Sequence, residues 1–225
     1  MPYQNWIVEM KVPAIAARNY EKLKGDLYFR KIVKFVSTKI KKIKDPIKRV
    51  KFFHDQIDEK IDEITSDEFV KNNISCKKGC SACCHSQVTI TKDESIALAR
   101  LIEDGLEIDA EKLRLQSEAQ DSASKFYQMD YQNRGCIFLD DDGSCRAYED
   151  RPAVCRTNYV VSDPKLCSTK DGVEKSVSLL KTYEADMVIY GAYSVAKDAG
   201  ALPYMLSKAL ESKKLFQKKE AQSEL

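Results

Sequence analysis

The sequence predicts a mainly α-helical domain with irregular cysteine-bearing loops and at most a small β-hairpin. Apolar residues recur at three- and four-residue spacing in several long segments, which is the period of an amphipathic helix. Only two short stretches, 87–90 and 136–148, have the character of β-structure. All eight cysteines fall between Cys76 and Cys167. At 225 residues with 43% hydrophobic side chains, the chain is long enough to bury a core.

The cysteine-free N-terminal region, residues 1–74, is predicted to consist of helices. Asp45 and Pro46 form a helix start, because Asp is a favoured N-cap and Pro is tolerated at the first helical position. An apolar face then follows at helical spacing, made of Ile47, Val50, Phe53, Ile57, Ile61 and Ile64. An earlier apolar segment, 27–43, predicts another helix, and together the two are predicted to form an antiparallel hairpin.

Further elements are predicted between the two blocks of cysteines. Residues 86–90 are predicted to be extended, and Thr91 and Glu94 have the spacing of a capping box that opens a helix. Gly105 is a suitable C-cap for that helix, and one more helix is predicted over 109–129.

The second cysteine block contains a segment with a strong preference for a turn. Because residues 140–143 have the sequence Asp-Asp-Asp-Gly, Cys136 and Cys145 are predicted to face each other across a small hairpin. A helical turn is predicted after Arg151 and Pro152. Two closing helices are then predicted over 174–198 and 203–217. The predicted organisation is an N-terminal helical region at 1–74 packing on a cysteine domain at 75–168, C-terminal helices at 169–217 and a tail at 218–225.

Charge is uneven along the N-terminal region, although the whole chain has a formal net charge of only +2. Residues 11–51 include fourteen basic and three acidic side chains, whereas residues 55–68 include seven acidic side chains and one lysine. A basic helix can bind nucleic acid, but no aromatic-rich RNA-binding motif or helix-turn-helix pattern accompanies this one. We therefore favour two solvated helix faces over a nucleic-acid-binding module.

Neither a secretory leader nor a membrane span is predicted. The start of the chain lacks a basic segment leading into an apolar stretch, and the most apolar window, 185–196, is too short to cross a bilayer. We therefore expect a cytoplasmic protein with reduced thiols. Reduced thiols and the adjacent pair Cys83–Cys84 argue against four disulfides, and clustering argues against cysteines that merely fill a core.

The first cysteine block runs from Cys76 to Cys84 with the sequence Cys-Lys-Lys-Gly-Cys-Ser-Ala-Cys-Cys. Thiolates are soft ligands that suit zinc and iron–sulfur clusters, and Gly79 lets the loop fold tightly. At least one ligand from elsewhere is needed to complete a four-sulfur set. The suppliers are Cys136, Cys145 and Cys155. The spacing leaves open whether one metal site or two are formed.

Three more specific functions of the cysteines are less well supported by the sequence. Cys76, Cys80 and Cys83 have the spacing by which radical S-adenosylmethionine enzymes hold a four-iron cluster. However, Ala82 stands where those enzymes usually have an aromatic residue, and repeated strand–helix units are absent. A redox dithiol would need a thioredoxin-like pattern, which is missing. A cysteine nucleophile would need a histidine base, for which only His85 is near.

The two blocks together resemble the YkgJ-like cysteine-cluster family, or CxxCxxCC family, described as zinc- or iron-chelating. The resemblance spans about residues 74–167. The second half of the family pattern is a Cys-Pro-Phe-Leu, Gly-x-Cys, Tyr-Glu-x-Arg-Pro and Cys-Arg series. This chain has Cys136-Ile-Phe-Leu139, Gly143-Ser-Cys145, Tyr148-Glu-Asp-Arg151-Pro152 and Cys155-Arg156. Ile137 replaces the usual proline, a change that removes no ligand.

The resemblance implies that seven cysteines form the metal site: Cys76, Cys80, Cys83, Cys84, Cys136, Cys145 and Cys155. Cys167 is a further candidate ligand. Arg151, Arg156 and His85 are candidates for groups that support the thiolates by charge or hydrogen bonds.

The sequence thus predicts a metal-binding protein in which clustered thiolates hold zinc or an iron–sulfur cluster. The alternative is an enzyme, either an iron–sulfur-dependent protein methyltransferase or a redox enzyme, because some relatives of the family look like flagellin lysine N-methylases. This chain is short and has no recognisable glycine-rich methyl-donor site, so that activity rests on analogy. Neither a protein partner nor a substrate is indicated.

Overall fold

The structure, a computed structural model, describes residues 12–172 and 175–223, with side chains described as far as Ser212. In these residues the chain forms ten α-helices and one two-stranded antiparallel sheet. The predicted mainly α-helical fold with a small β element is thereby confirmed. No helix in these ranges has the length and apolar character needed to span a membrane.

The elements follow one another in a simple order along the chain. The α-helices are α1 (Ala14–Leu23), α2 (Leu27–Lys42), α3 (Pro46–Thr65), α4 (Glu68–Asn73), α5 (Lys92–Glu103), α6 (Ala110–Ser117), α7 (Ala123–Tyr127), α8 (Ala153–Arg156), α9 (Tyr183–Tyr193) and α10 (Leu202–Ser223). Three short 3₁₀-helices lie at Ala82–His85, Tyr131–Arg134 and Pro164–Cys167. The sheet pairs β1 (Thr89–Thr91) with β2 (Ala199–Ala201).

The predicted helix starts in the N-terminal region are confirmed. The Asp45 carboxylate accepts a hydrogen bond from the Lys48 amide at 2.8 Å, so that it caps α3, and Pro46 occupies the first turn. Most of the predicted apolar face of α3 is buried, although Ile47 at its start remains 42% exposed. The beginning of the predicted basic run, Lys11, lies outside the described residues.

A helical core forms where α9 packs against α1, α2 and α3. Nine of the eleven residues of α9 are buried, which explains why its sequence is apolar on all sides. Gly191 permits the close approach of α2, since a Cβ placed there would lie 3.0 Å from the Val36 Cβ atom. The core so formed includes Val36, Phe53, Ile57, Val188 and Ile189.

A second core lies beneath the second cysteine block. Here α10 packs against α5 and α6, and Ile137 and Phe138 from the cysteine-bearing segment insert between them. The C-terminal helices therefore serve two different cores: α9 belongs to the helical core and α10 to the second core. The division of the chain at residues 74, 168 and 217 stays a prediction.

The single helix predicted over 109–129 is wrong, because the chain forms α6 and α7 with a break between them. Gln120 in the break has a left-handed φ of 51°, and Ser122 caps α7. Asp121 accepts a hydrogen bond from the Ala201 amide at 2.8 Å. A contact with a distant strand thus competes with continuation of the helix.

The closing helices also differ from the prediction. The helix expected from residue 174 begins only at Tyr183, because residues 178–180 run extended beside Tyr159 and Val161. Gly200, which lies between the two predicted closing helices, is part of β2 and lies opposite Ile90. The final helix continues to Ser223, so the tail predicted at 218–225 is helical up to that residue, and residues 224–225 lie outside the described part.

Candidate metal centre

The first cysteine block forms an irregular loop that ends in the 3₁₀-helix Ala82–His85. The Cys80 amide donates to the Lys77 carbonyl at 2.9 Å, and Gly79 adopts a φ of +84°, which a side chain would disfavour. The predicted tight turn at Gly79 is therefore present. The turn lies within the short segment that carries Cys76, Cys80 and Cys83.

The second block folds as a narrow hairpin in a register that differs from the prediction. Cys145 forms a bridge with Leu139, so that it does not lie directly opposite Cys136. The expected turn is present, since the Gly143 amide donates to the Asp140 carbonyl at 3.0 Å. Because Cys145 pairs with Leu139, Cys136 lies at the open end of the hairpin, away from its turn.

Two contacts join the blocks. The Cys136 amide donates to the Cys84 carbonyl at 2.8 Å. The turns at Gly79 and Gly143 also meet, and a Cβ placed on Gly143 would lie only 2.7 Å from the Gly79 carbonyl oxygen. Glycine is needed here because the two backbones touch.

The first thiol group consists of Cys76, Cys80, Cys83 and Cys167. The Val160 amide donates to the Cys76 sulfur at 3.3 Å, and the 3₁₀-helix that ends at Cys167 packs on the one that contains Cys83. Desolvation raises the pKa of Cys167, and the neighbouring Cys83, Cys76 and Cys80 add to this rise. Desolvation and the nearby Cys80 and Cys83 likewise raise the pKa of Cys76, although the Val160 amide opposes the rise.

The second thiol group consists of Cys84, Cys136, Cys145 and Cys155. Desolvation raises the pKa of Cys136 to about 11, with a smaller contribution from Cys145. Cys155 is accessible to solvent, yet the protein atoms around it desolvate its thiol and raise its pKa well above the ordinary value.

Cys83 and Cys84 connect the two groups. The Cys84 thiol is hydrogen-bonded to Cys83, which lowers the pKa of Cys83 to about 6 and raises that of Cys84. The Asn158 side chain also hydrogen-bonds to Cys83. Cys83 further raises the pKa of Cys136 and Cys155 by its charge, so it lies within electrostatic reach of both groups.

All eight cysteines have free thiols, and none of them is paired in a disulfide. Within the described ranges, no three or more Cys, His, Asp or Glu side chains lie close enough together to hold a metal ion. Rotation of a cysteine about its Cα–Cβ bond moves the sulfur between staggered positions without moving the backbone. The donors available are therefore two groups of soft sulfur atoms, which fit zinc or an iron–sulfur cluster.

The three residues predicted to support the thiolates have different surroundings. His85 stacks on Tyr131 with ring centroids 4.1 Å apart, and its Nδ1 faces the Ser81 carbonyl. Desolvation, together with nearby Arg134 and Lys112, lowers the pKa of His85. These contacts direct the His85 ring toward neighbours other than the cysteines.

The two predicted arginines lie beside the second thiol group but use their donors elsewhere. Arg156 is buried and donates to the Arg151 and Glu149 carbonyls and to the Asp58 carboxylate. Arg151 lies 4.0 Å from the centre of the Tyr148 ring, and its charge opposes the rise of the Cys145 pKa. Of the two, Arg151 is the one whose charge acts on a thiol.

Sequence reasoning overlooked a buried arginine near the first thiol group. Arg134 is only 6% exposed and shares the lining of a cavity of about 450 Å³ with Cys83 and Cys167. Nothing in its sequence neighbourhood marks it, because its contacts are with Thr169 and two tyrosines that come together only in the fold.

Comparison with known proteins gives one result. Residues 75–177 match the CxxCxxCC family, which is described as "Putative zinc- or iron-chelating domain". No curated protein and no solved structure gives a significant match to the chain. The matched range begins one residue before Cys76 and extends beyond Cys167, so it contains both thiol groups. Over residues 75–177, slightly less than half of its length, the chain is therefore similar to the CxxCxxCC family.

Proposed function

We propose that this chain is a metal-binding protein in which the eight cysteines hold zinc or an iron–sulfur cluster. The observation that carries the proposal is the absence of buried residues in the first cysteine loop and in the segment around Cys167. No residue between 74 and 89 is buried, and neither is any described residue between 161 and 181. These stretches contain five of the eight cysteines. Loops without buried apolar side chains need another source of order, and metal–thiolate bonds supply one.

We propose further that the thiols form two sites rather than one. In the first thiol group, Cys83 and Cys167 lie on two 3₁₀-helices that pack together, and Cys76 and Cys80 lie in the loop before them. In the second thiol group, Cys136 and Cys145 lie on the hairpin, Cys155 lies in α8, and Cys84 follows Cys83. Four sulfur ligands complete a tetrahedral zinc site or hold a cubane cluster.

The test is anaerobic purification of the full chain, followed by an absorption spectrum and elemental analysis of one sample. Brown protein with iron and acid-labile sulfide identifies a cluster, and colourless protein with stoichiometric zinc identifies closed thiolate sites. Protein that retains neither metal after reconstitution overturns the proposal.

Single substitutions test the division into two sites. Cys76→Ser and Cys145→Ser remove one ligand from the first and second thiol groups, respectively. Each should lower the metal content by about half, since the other four-sulfur site stays complete. Ser81→Ala, in the same loop as Cys80, is the matched control and should retain all the metal. Complete loss of metal in both cysteine variants would mean a single shared site.

The cavity beside Cys83 and Cys167 favours one further candidate, an iron–sulfur enzyme that transfers methyl groups or electrons. A reaction of this kind needs space for a small molecule next to the cluster, and the cavity provides it. Addition of S-adenosylmethionine to the iron-loaded protein should then change the cluster spectrum. An unchanged spectrum together with no binding heat argues against a methyl-transfer role.

A further inference from the structure

The cavity beside the first thiol group has the size of a small-molecule site. Its volume of about 450 Å³ lies within the range of ligand pockets in proteins. Cys83 and Cys167 lie on its wall, and Asn158, which hydrogen-bonds to Cys83, lies there too. A molecule in this cavity would therefore lie against two of the proposed metal ligands.

Apart from Cys83, whose pKa is lowered to about 6, the charged side chains in the described part of the cavity wall are basic. They are Arg134 and Lys175, and no carboxylate side chain is among the described lining residues. The Lys175 ammonium is paired with the Asp171 carboxylate at 2.6 Å, and it remains one-third exposed. Neutral hydrogen-bonding groups, including Ser86, Tyr127 and Thr169, complete the polar part of the wall.

Arg134 stands out because it is buried without an acidic partner. Its Nη1 donates to the Thr169 hydroxyl at 3.1 Å, and its Nη2 donates to the Thr169 carbonyl at 3.2 Å. Its Nε atom is buried and has no hydrogen-bond partner in the described part of the chain. The guanidinium lies over the rings of Tyr127 and Tyr131, at 5.4 and 5.2 Å from their centres.

This arrangement is unfavourable unless an anion approaches. A guanidinium that is removed from water loses hydration, and neutral hydrogen bonds restore only part of it. The two tyrosine rings lie close to the guanidinium, whose planar fork of donors suits a planar or tetrahedral oxyanion.

We propose that this cavity binds a small organic anion with a carboxylate or phosphate group, which Arg134 holds against the first thiol group. Lys175 strengthens the attraction from the rim of the cavity. The placement beside a metal rests on the proposed function, whereas recognition of the anion by Arg134 does not.

Calorimetric titration of the metal-loaded full chain tests the inference. The probes are glycerol 3-phosphate for the phosphate source and succinate for the carboxylate source, with glycerol and succinamide as uncharged counterparts. We expect saturable binding of at least one anion and of neither uncharged compound. Wild-type protein that binds neither anion overturns the inference.

Arg134→Gln should weaken anion binding by about ten-fold or more, because truncating one partner of a buried charge pair removes most of the attraction. Lys175→Gln should weaken it by about three-fold, since its charge is partly solvated and already paired. Arg114→Gln, on the exposed surface of α6, is the control and should leave binding unchanged. Unchanged binding in a folded Arg134→Gln protein overturns the inference. If Arg134→Gln does not fold, Lys175→Gln decides, and unchanged binding there overturns it.

Metal content measured on the same samples separates the two proposals. Protein that holds metal but binds neither probe retains the proposed function and loses the inference. Protein that binds an anion through Arg134 but never holds metal retains the inference and loses the proposed function.

Discussion

The helical half of the molecule and the cysteine half are ordered by different interactions. In the helical half, α1, α2, α3 and α9 bury a continuous apolar core. In the cysteine half, no residue of the loop at 74–89 is fully buried. Burial of apolar surface stabilises the first half whatever is bound, whereas the proposed metal would order the loops of the second half. The comparison predicts that the two halves respond differently to the same perturbation.

A buried carboxylate joins the halves. Glu94, at the start of α5, accepts hydrogen bonds from the Thr91 and Ala153 amides, both at 2.8 Å. It also accepts from the Tyr193 hydroxyl of α9 at 3.2 Å and lies 3.2 Å from the Nε2 atom of His54 in α3. Burial disfavours its charge, but these hydrogen bonds hold the pKa of Glu94 below its ordinary value. Ala153 begins α8, which carries Cys155, so the junction reaches the second thiol group.

The largest effect is expected from a cavity in the helical half. Ile57 is fully buried, and Ile57→Ala should lower the free energy of unfolding by about 2–5 kcal/mol. Urea denaturation followed by circular dichroism measures this loss. Ile47→Ala, at a partly exposed position of the same helix, should change stability by only about 0.5 kcal/mol. Metal content should stay the same in both variants, and its loss in Ile57→Ala would show that the halves are not separable.

Substitution at the junction should weaken both halves together. In Glu94→Gln an amide replaces the carboxylate that faces two backbone N–H groups, which should cost about 3 kcal/mol. Thermal unfolding and the rate of metal release to a chelator should both change. Glu118→Gln, which removes an exposed ion pair with Arg114, is the control and should have little effect on either. A normal rate of metal release in Glu94→Gln would contradict the proposed coupling.

A smaller effect, confined to the cysteine half, is expected at the contact between the two turns. Gly143→Ala would place a methyl group against the Gly79 carbonyl and strain a φ of +80°, which should cost about 2 kcal/mol. Competition with a chelator should show weaker metal retention, while helical circular dichroism stays unchanged. Gly105→Ala has a comparable backbone strain and open space around the new methyl group. Equal metal retention in the two variants would show that strain, rather than the contact, matters.

A further effect, which is seen only when the pH is changed, is expected within the helical half. Desolvation raises the pKa of Asp186 to about 6, although hydrogen bonds from Asn19 and Thr182 oppose the rise. The folded-state pKa therefore exceeds that of the unfolded chain, and the stability that protonated Asp186 contributes is lost as the pH rises from about 4 to about 6. Asp186→Asn should match the wild type below this window and exceed it by up to about 3 kcal/mol at neutral pH. Urea denaturation across the window measures the difference, and a gain that does not vary with pH would contradict this explanation.

The elements that were predicted correctly are those that depend on local signals in the sequence. The Asp45–Pro46 start and the Thr91–Glu94 capping box are both present, because a cap satisfies backbone amides within its own turn. The apolar spacing of α3 predicted which of its residues enter the core. The turn at Asp140–Gly143 was also predicted, since positive φ at Gly143 is a property of the residue itself.

The elements that were predicted wrongly share a physical cause. The break after α6 and the late start of α9 both depend on hydrogen bonds to segments far away in the chain, from Ala201 to Asp121 and between 159–161 and 178–180. Local helix propensity is a weak preference that such contacts override. The second strand was missed for the same reason, because Ala199–Ala201 becomes a strand only by pairing with β1.

The sequence by itself determined that eight thiols are clustered in one part of the chain and that helices surround them. Only the tertiary structure decided which thiols are neighbours, that Cys83 lies within electrostatic reach of Cys76, Cys136 and Cys155, and that Arg134 is buried beside a cavity lined by Cys83. The reason is that ligand chemistry resides in individual side chains, whereas neighbours, burial and charge balance depend on which distant segments the folded chain brings into contact.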